Sequence, residues 1–184
     1  MMKKHAFLIS LVAVVMVLSL SVGITWAFLK EKVENPAVNK FSENVTAVTV
    51  EEEFNGTLKK NVNVKNTGKS TAYVKVKLVT YRVNEKGDRI GGTATIPDFT
   101  AGNNWLDAGN GTYIYALPVA PNSSPEQKLV PGAGITLQKY TDDDGGVQVI
   151  EVIAESIQSA PASAVKGAWN VDVDDQGKIS LKSN

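Results

Sequence analysis

The chain has 184 residues, 19 basic and 19 acidic, with a single histidine, His5, and no cysteine. Without cysteine there is no disulfide framework. Without histidine beyond position 5, His-dependent triads, His-ligated zinc and the HExxH motif are excluded. A balanced charge lacks the clustered positive surface that nucleic-acid binding requires.

Residues 1–28 open with Met1-Met2-Lys3-Lys4-His5, continue in an apolar run from Ala6 to Val22, and leave through Gly23-Ile24-Thr25-Trp26-Ala27-Phe28. A basic start, an apolar stretch and a small-residue exit are the three parts of a secretory signal. Ala27 supplies the small side chain that a signal peptidase accepts before the cut, and Trp26 suits the membrane interface. Cleavage after Ala27 leaves 157 residues, with 17 basic against 19 acidic, a net charge of −2. The apolar run is 17 residues long, which also reaches the short limit of a membrane anchor with Lys3 and Lys4 inside. Residues 28–43 are polar, contain Asn35-Pro36, and read as an extended lead segment.

From Asn44 the pattern turns β-branched, and a strand is expected through Val50, ended by Glu51-Glu52-Glu53. Val62 and Val64 alternate with polar residues up to the turn cluster Asn66-Thr67-Gly68-Lys69-Ser70. Alternation resumes with Val74, Val76 and Leu78 on one face and Tyr73, Lys75 and Lys77 on the other. Those lysines are expected to guard a sheet edge. The two strands form a hairpin or cross between sheets. A second turn follows around Lys86-Gly87-Asp88, and then a Gly- and Asn-rich loop over 93–111 that carries Trp105. Short strands are expected at Tyr113–Leu117 and Ile135–Leu137, and a long one over Val147–Gln158. A short helix around Ala162–Ala168 and a hairpin from Trp169 to Leu181, turning at Asp174-Asp175-Gln176-Gly177, complete the chain. The expected fold is all-β: a jelly-roll-like antiparallel β-sandwich over 44–184, preceded by a signal helix over 1–27.

Three elements carry a resemblance. Gly23-Ile24-Thr25-Trp26-Ala27-Phe28 resembles the export signature of substrates of the SipW-type signal peptidase. Val62-Asn63-Val64-Lys65-Asn66-Thr67-Gly68, followed by Ala72-Tyr73-Val74-Lys75-Val76, resembles the core motif of the TasA/camelysin group. Val165-Lys166-Gly167-Ala168-Trp169 resembles the C-terminal element of its BsaA-like branch. The resemblance implies an exported jelly-roll protein of Gram-positive bacteria, processed by that peptidase at Thr25, Trp26, Ala27 and Phe28. It further implies a place in the biofilm matrix or on the cell surface. In TasA-like fibres the N-terminal segment of one subunit is thought to complete the sheet of the next. Here that segment begins at Phe28, with Val33 and Val38 as apolar residues to fill pockets.

Other constellations are weaker. Asp172-Val173-Asp174-Asp175-Gln176-Gly177 starts like a calcium loop, but its twelfth position is Ser183 rather than a glutamate, and a hairpin turn is expected. Asp142-Asp143-Asp144 reads as an acidic turn that calcium alone would suit. Glu51-Glu52-Glu53, Glu151 and Glu155 read as solvated carboxylates. Trp105, Tyr113, Tyr115 and Trp169 are candidates for a glycan platform, though large aromatics more often pack inside. The expectation is a non-enzymatic structural protein without cofactor or metal that associates with itself. A monomeric surface binding module is the alternative, and a camelysin-like metallopeptidase the remote one.

Overall fold

The computed structural model describes residues 46–182. The signal helix, the lead segment and the positions Thr25, Trp26, Ala27, Phe28, Val33 and Val38 lie outside the described residues. The described part contains ten strands and one helix, and every strand pair is antiparallel. The helix spans only 8 residues, and no described helix is long and apolar enough to cross a membrane.

The first sheet joins β1 (Val48–Phe54), β2 (Leu58–Asn66) and β7 (Ile135–Thr136) in the order β1-β2-β7. The second is built on β3 (Ala72–Val83). One edge of β3 pairs along its full length with β8 (Val147–Gln158). The other pairs with β6 (Thr112–Tyr115), which carries β5 (Trp105–Gly109), and with β4 (Arg89–Ile90). Strands β2 and β3 therefore cross between sheets. Lys75 and Lys77 guard no edge, because β3 is an interior strand.

Period-two alternation explains both layers. Val74, Val76 and Leu78 meet Val62 and Val64 of the facing sheet in one core, closed by Trp105, Tyr115, Leu129, Val130, Ile135 and Ile150. Each such valine contributes about 1.5–3 kcal/mol on full burial. Tyr73 points the other way, into a second core with Ile114, Val165, Val171 and Ile179. That core lies beneath α1 (Ala162–Trp169) and the hairpin of β9 (Val171–Val173) and β10 (Ile179–Leu181). The Tyr73 hydroxyl donates to the Gly177 carbonyl at 2.8 Å, and burial pushes its pKa up.

The turn after β2 is held by Asn66, which is fully buried. Its Nδ2 donates to the carbonyls of Ser70 and Val119, each at 2.9 Å, and its Oδ1 accepts from the Gly68 N–H at 3.0 Å. At the far end of β3, Arg82 ties two loops together. Its Nη1 donates to both Asp142 oxygens, at 2.7 and 2.8 Å, while Nε and Nη2 reach the Thr93 carbonyl. The guanidinium lies 3.5 Å from the centre of the Tyr140 ring. The hydrogen bond from Arg82 holds the Asp142 carboxyl below its ordinary range, aided by the Gly145 N–H.

Two predictions follow from these fastenings. Asn66→Ala leaves buried backbone groups without partners and should cost roughly 2–4 kcal/mol in urea titration. A depressed carboxylate pKa adds stability above the unfolded-state value, and that stability disappears as pH falls through the folded value. Asp142→Asn should therefore lower the melting temperature at neutral pH and shrink the difference from the parent chain as the pH is lowered.

Candidate functional site

Strand β1 continues through all three glutamates to Phe54, against the expectation that they end it. Alternation then sets Val48, Val50, Glu52 and Phe54 on the inner row, and Thr49, Glu51 and Glu53 on the outer row. Val48 and Val50 pack on the core. Glu52 is a charged residue in a row that began apolar.

Its partner is Lys59. Between Glu51 and Glu53 the register of β2 slips by one residue, with Asn61 in the left-handed region at φ 55°. Asn tolerates this conformation better than other non-glycine residues. The bulge keeps Val62 and Val64 on the core row while turning Lys59 inward as well, opposite Ile135. The Lys59 side chain is 7% exposed, and its Nζ meets Glu52 Oε2 at 2.7 Å. The same ammonium stands 5.4 Å from the centre of the Phe54 ring.

Strand β8 faces this pair from the other sheet. Main-chain groups alternate between its two edges. The Gln148 N–H donates to the Gln138 carbonyl, away from β3, and Thr46 Oγ1 reaches the Ser156 carbonyl on that same side. Residues of the same parity, Ile150, Val152 and Ala154, therefore present their N–H and C=O groups at the outer edge. Among the described residues no strand pairs with that edge over 149–156, nor with the outer edge of β1.

Two cavities run between these edges. One, of about 420 Å³, is lined by Val50, Glu52 and Lys59 on one wall and Ile150, Glu151, Val152 and Ile153 on the other. The next, of about 310 Å³, lies toward Phe54, Leu137, Val147 and Val149. Lys59 and Ile150 border both, so the two form one groove with the Lys59–Glu52 pair at the junction. Phe54 and Ile153 flank it, each 53% exposed. An open groove between two edges that no described strand pairs, with apolar walls and an ion pair whose lysine is buried, can take up an extended chain. Main-chain bonds would run to β8 and side chains would enter the two halves.

The other sequence candidates fall elsewhere. Trp105 and Tyr115 lie in the core with centroids 5.3 Å apart, and Trp105 Nε1 donates to the Gln127 carbonyl. Tyr113 packs on Phe99, and Trp169 lies 4.9 Å from the Lys75 ammonium, which also pairs with Glu155. The four rings form no common platform. The loop over 93–111 holds β5, and Gly111 stands so close to β3 that a side chain would collide with the Leu78 carbonyl oxygen. Asp142 is engaged by Arg82. Asp174 accepts from the N–H groups of Gln176 and Lys178 and closes its own turn. Among the described residues no cluster of three Asp, Glu or His gathers to hold a metal ion. Glu151 accepts from the Tyr81 hydroxyl at 2.6 Å, which raises the tyrosine pKa.

Sequence reasoning missed Lys59 and Glu52. The available signal was alternation carried past Val50, which places Glu52 on the inner row.

Comparison with protein-family models, with curated proteins and with solved structures finds no match.

The open edge has a direct readout. In the monomer, amide protons of Ile150, Val152 and Ala154 should exchange roughly a hundredfold faster than those of Glu151 and Ile153, measured residue by residue by NMR.

Proposed function

We propose that this chain is an exported structural protein of a cell surface or biofilm matrix that assembles by strand donation. The segment from Phe28 onward of one copy enters the groove between β1 and β8 of another. The carrying observation is the groove itself, with main-chain groups on β8 that no described strand pairs, apolar walls, and exposed Phe54 and Ile153 at its flanks. Strand addition supplies affinity through main-chain hydrogen bonds and specificity through alternate side chains. It also removes an edge that would otherwise pair indiscriminately.

The remainder of the reading rests on the sequence. A SipW-type peptidase cuts after Ala27 and frees Phe28, and the product is secreted or stays at the extracellular surface. Retention through residues 6–22 would leave it membrane-tethered. The role needs no catalytic residue and no cofactor. The alternative of a glycan-binding module loses support because Trp105 and Tyr115 are committed to the core.

Deleting residues 28–39 from the processed chain should abolish concentration-dependent assembly, followed by sedimentation velocity and electron microscopy, while leaving the melting temperature nearly unchanged. Filaments that form equally well from the shortened chain would overturn the reading.

A further inference from the structure

The Lys59–Glu52 pair does more than occupy the groove. Lys59 carries three N–H donors, and its side chain is 7% exposed. Among the described residues Glu52 is the carboxylate that meets it, at 2.7 Å. Water from the open groove can serve the remaining donors. A strand laid over the groove expels that water and leaves those donors unpaired unless it brings an acceptor of its own. The occupant must therefore read apolar, acceptor, apolar on its inner row. The acceptor falls at the junction of the two cavities, and an apolar residue enters each half.

The lead segment restricts the choice of register. A strand places residues i, i+2 and i+4 on one face. Val33 and Val38 are five residues apart and so cannot both point inward in a regular strand. Three registers within residues 28–43 give the required inner row, Leu29-Glu31-Val33, Val33-Asn35-Ala37 and Ala37-Asn39-Phe41. Their outer rows differ. The first turns Lys30 and Lys32 outward, the second Glu34 and Pro36, and the third Val38 and Lys40. The flanking outer rows carry Glu51 and Glu53 on β1 and Glu151 on β8, with Glu53 already meeting Lys60 at 3.3 Å. Opposite charges on neighbouring strands attract and like charges repel. Pro36 in addition offers no N–H to a ladder. The first register is selected, because it alone sets a carboxylate opposite Lys59 and turns two lysines outward.

Resting on the strand-donation reading, we infer that Lys59 sets the register of assembly by pairing with Glu31 of the incoming copy. Leu29 and Val33 enter the two halves of the groove, and Lys30 and Lys32 lie along its acidic rim. The partner is a second copy of this chain, recognised by an acidic residue flanked by two apolar ones.

The test is a double-mutant cycle on the chain beginning at Phe28, reading the concentration for half-assembly by light scattering. Glu31→Met should raise that concentration about tenfold or more in the parent chain, the size expected of one charge-assisted hydrogen bond. In the Lys59→Met background, the same change should have no effect or lower the concentration. An equal effect in both backgrounds overturns the Lys59–Glu31 pairing and leaves strand donation standing. Assembly that survives deletion of 28–39, or a parent chain that stays monomeric at every concentration, overturns both. If Lys59→Met does not fold, the donor side decides alone. Glu31→Lys should weaken assembly more than Glu31→Met, and Glu34→Lys should not weaken it. Equal weakening by Glu31→Lys and Glu34→Lys overturns the register.

Discussion

Strand β3 is the constraint on which the rest of the structure depends. Both of its edges are taken, by β8 on one side and by β6 and β4 on the other. Near its start both of its faces are taken as well, because Val74 and Val76 serve one core while Tyr73 serves the other. A strand occupied on four sides has no freedom to slip, since a shift of one residue would send valines outward and lysines inward. Its rigidity determines where β8 lies. Among the described residues no strand pairs with the outer edge of β8 over 149–156, and that edge faces β1.

Much of this layering was legible in the residues. Alternation placed the valines of β2 and β3, turn clusters bounded them, and the helix and final hairpin appear where the sequence indicates. What was not legible was pairing. Nothing local in Asn66-Thr67-Gly68-Lys69-Ser70 distinguishes a hairpin from a crossover, because the choice depends on partners fifty or more residues away, as with Asn66 and Val119. The run Glu51-Glu52-Glu53 misled for a related reason. Three carboxylates suggest solvent, yet the strand runs through them, and the outward Glu53 finds Lys60 while Glu52 finds Lys59. That lysine turns inward only because Asn61 adopts a left-handed conformation, and the sequence bears no mark of the bulge that this makes.

The motifs that carried the resemblance acquire local physical reasons. In Val64-Lys65-Asn66-Thr67-Gly68 the asparagine is a buried fastener whose amide bridges two loops, so its role is mechanical. In Val165-Lys166-Gly167-Ala168-Trp169 the valine fills the second core and the tryptophan lies against Lys75. The groove arises from different residues. Its chemistry rests on Lys59 and Glu52 and its capacity on the outer edge of β8, none of which belongs to those motifs.

The Tyr73 hydroxyl and the Gly177 carbonyl are 104 positions apart in the chain. Their contact waits until residue 177 has been made in a chain growing from its N-terminus. Until β10 is complete, the cover that α1 and β9 give Tyr73 and Ile114 lacks Ile179. Closure of so long a loop carries an entropic cost that only the finished second core repays. The hairpin of β9 and β10 thus works as a seal, because a chain broken off before Gly177 would leave the Tyr73 hydroxyl without its acceptor and the second core without Ile179.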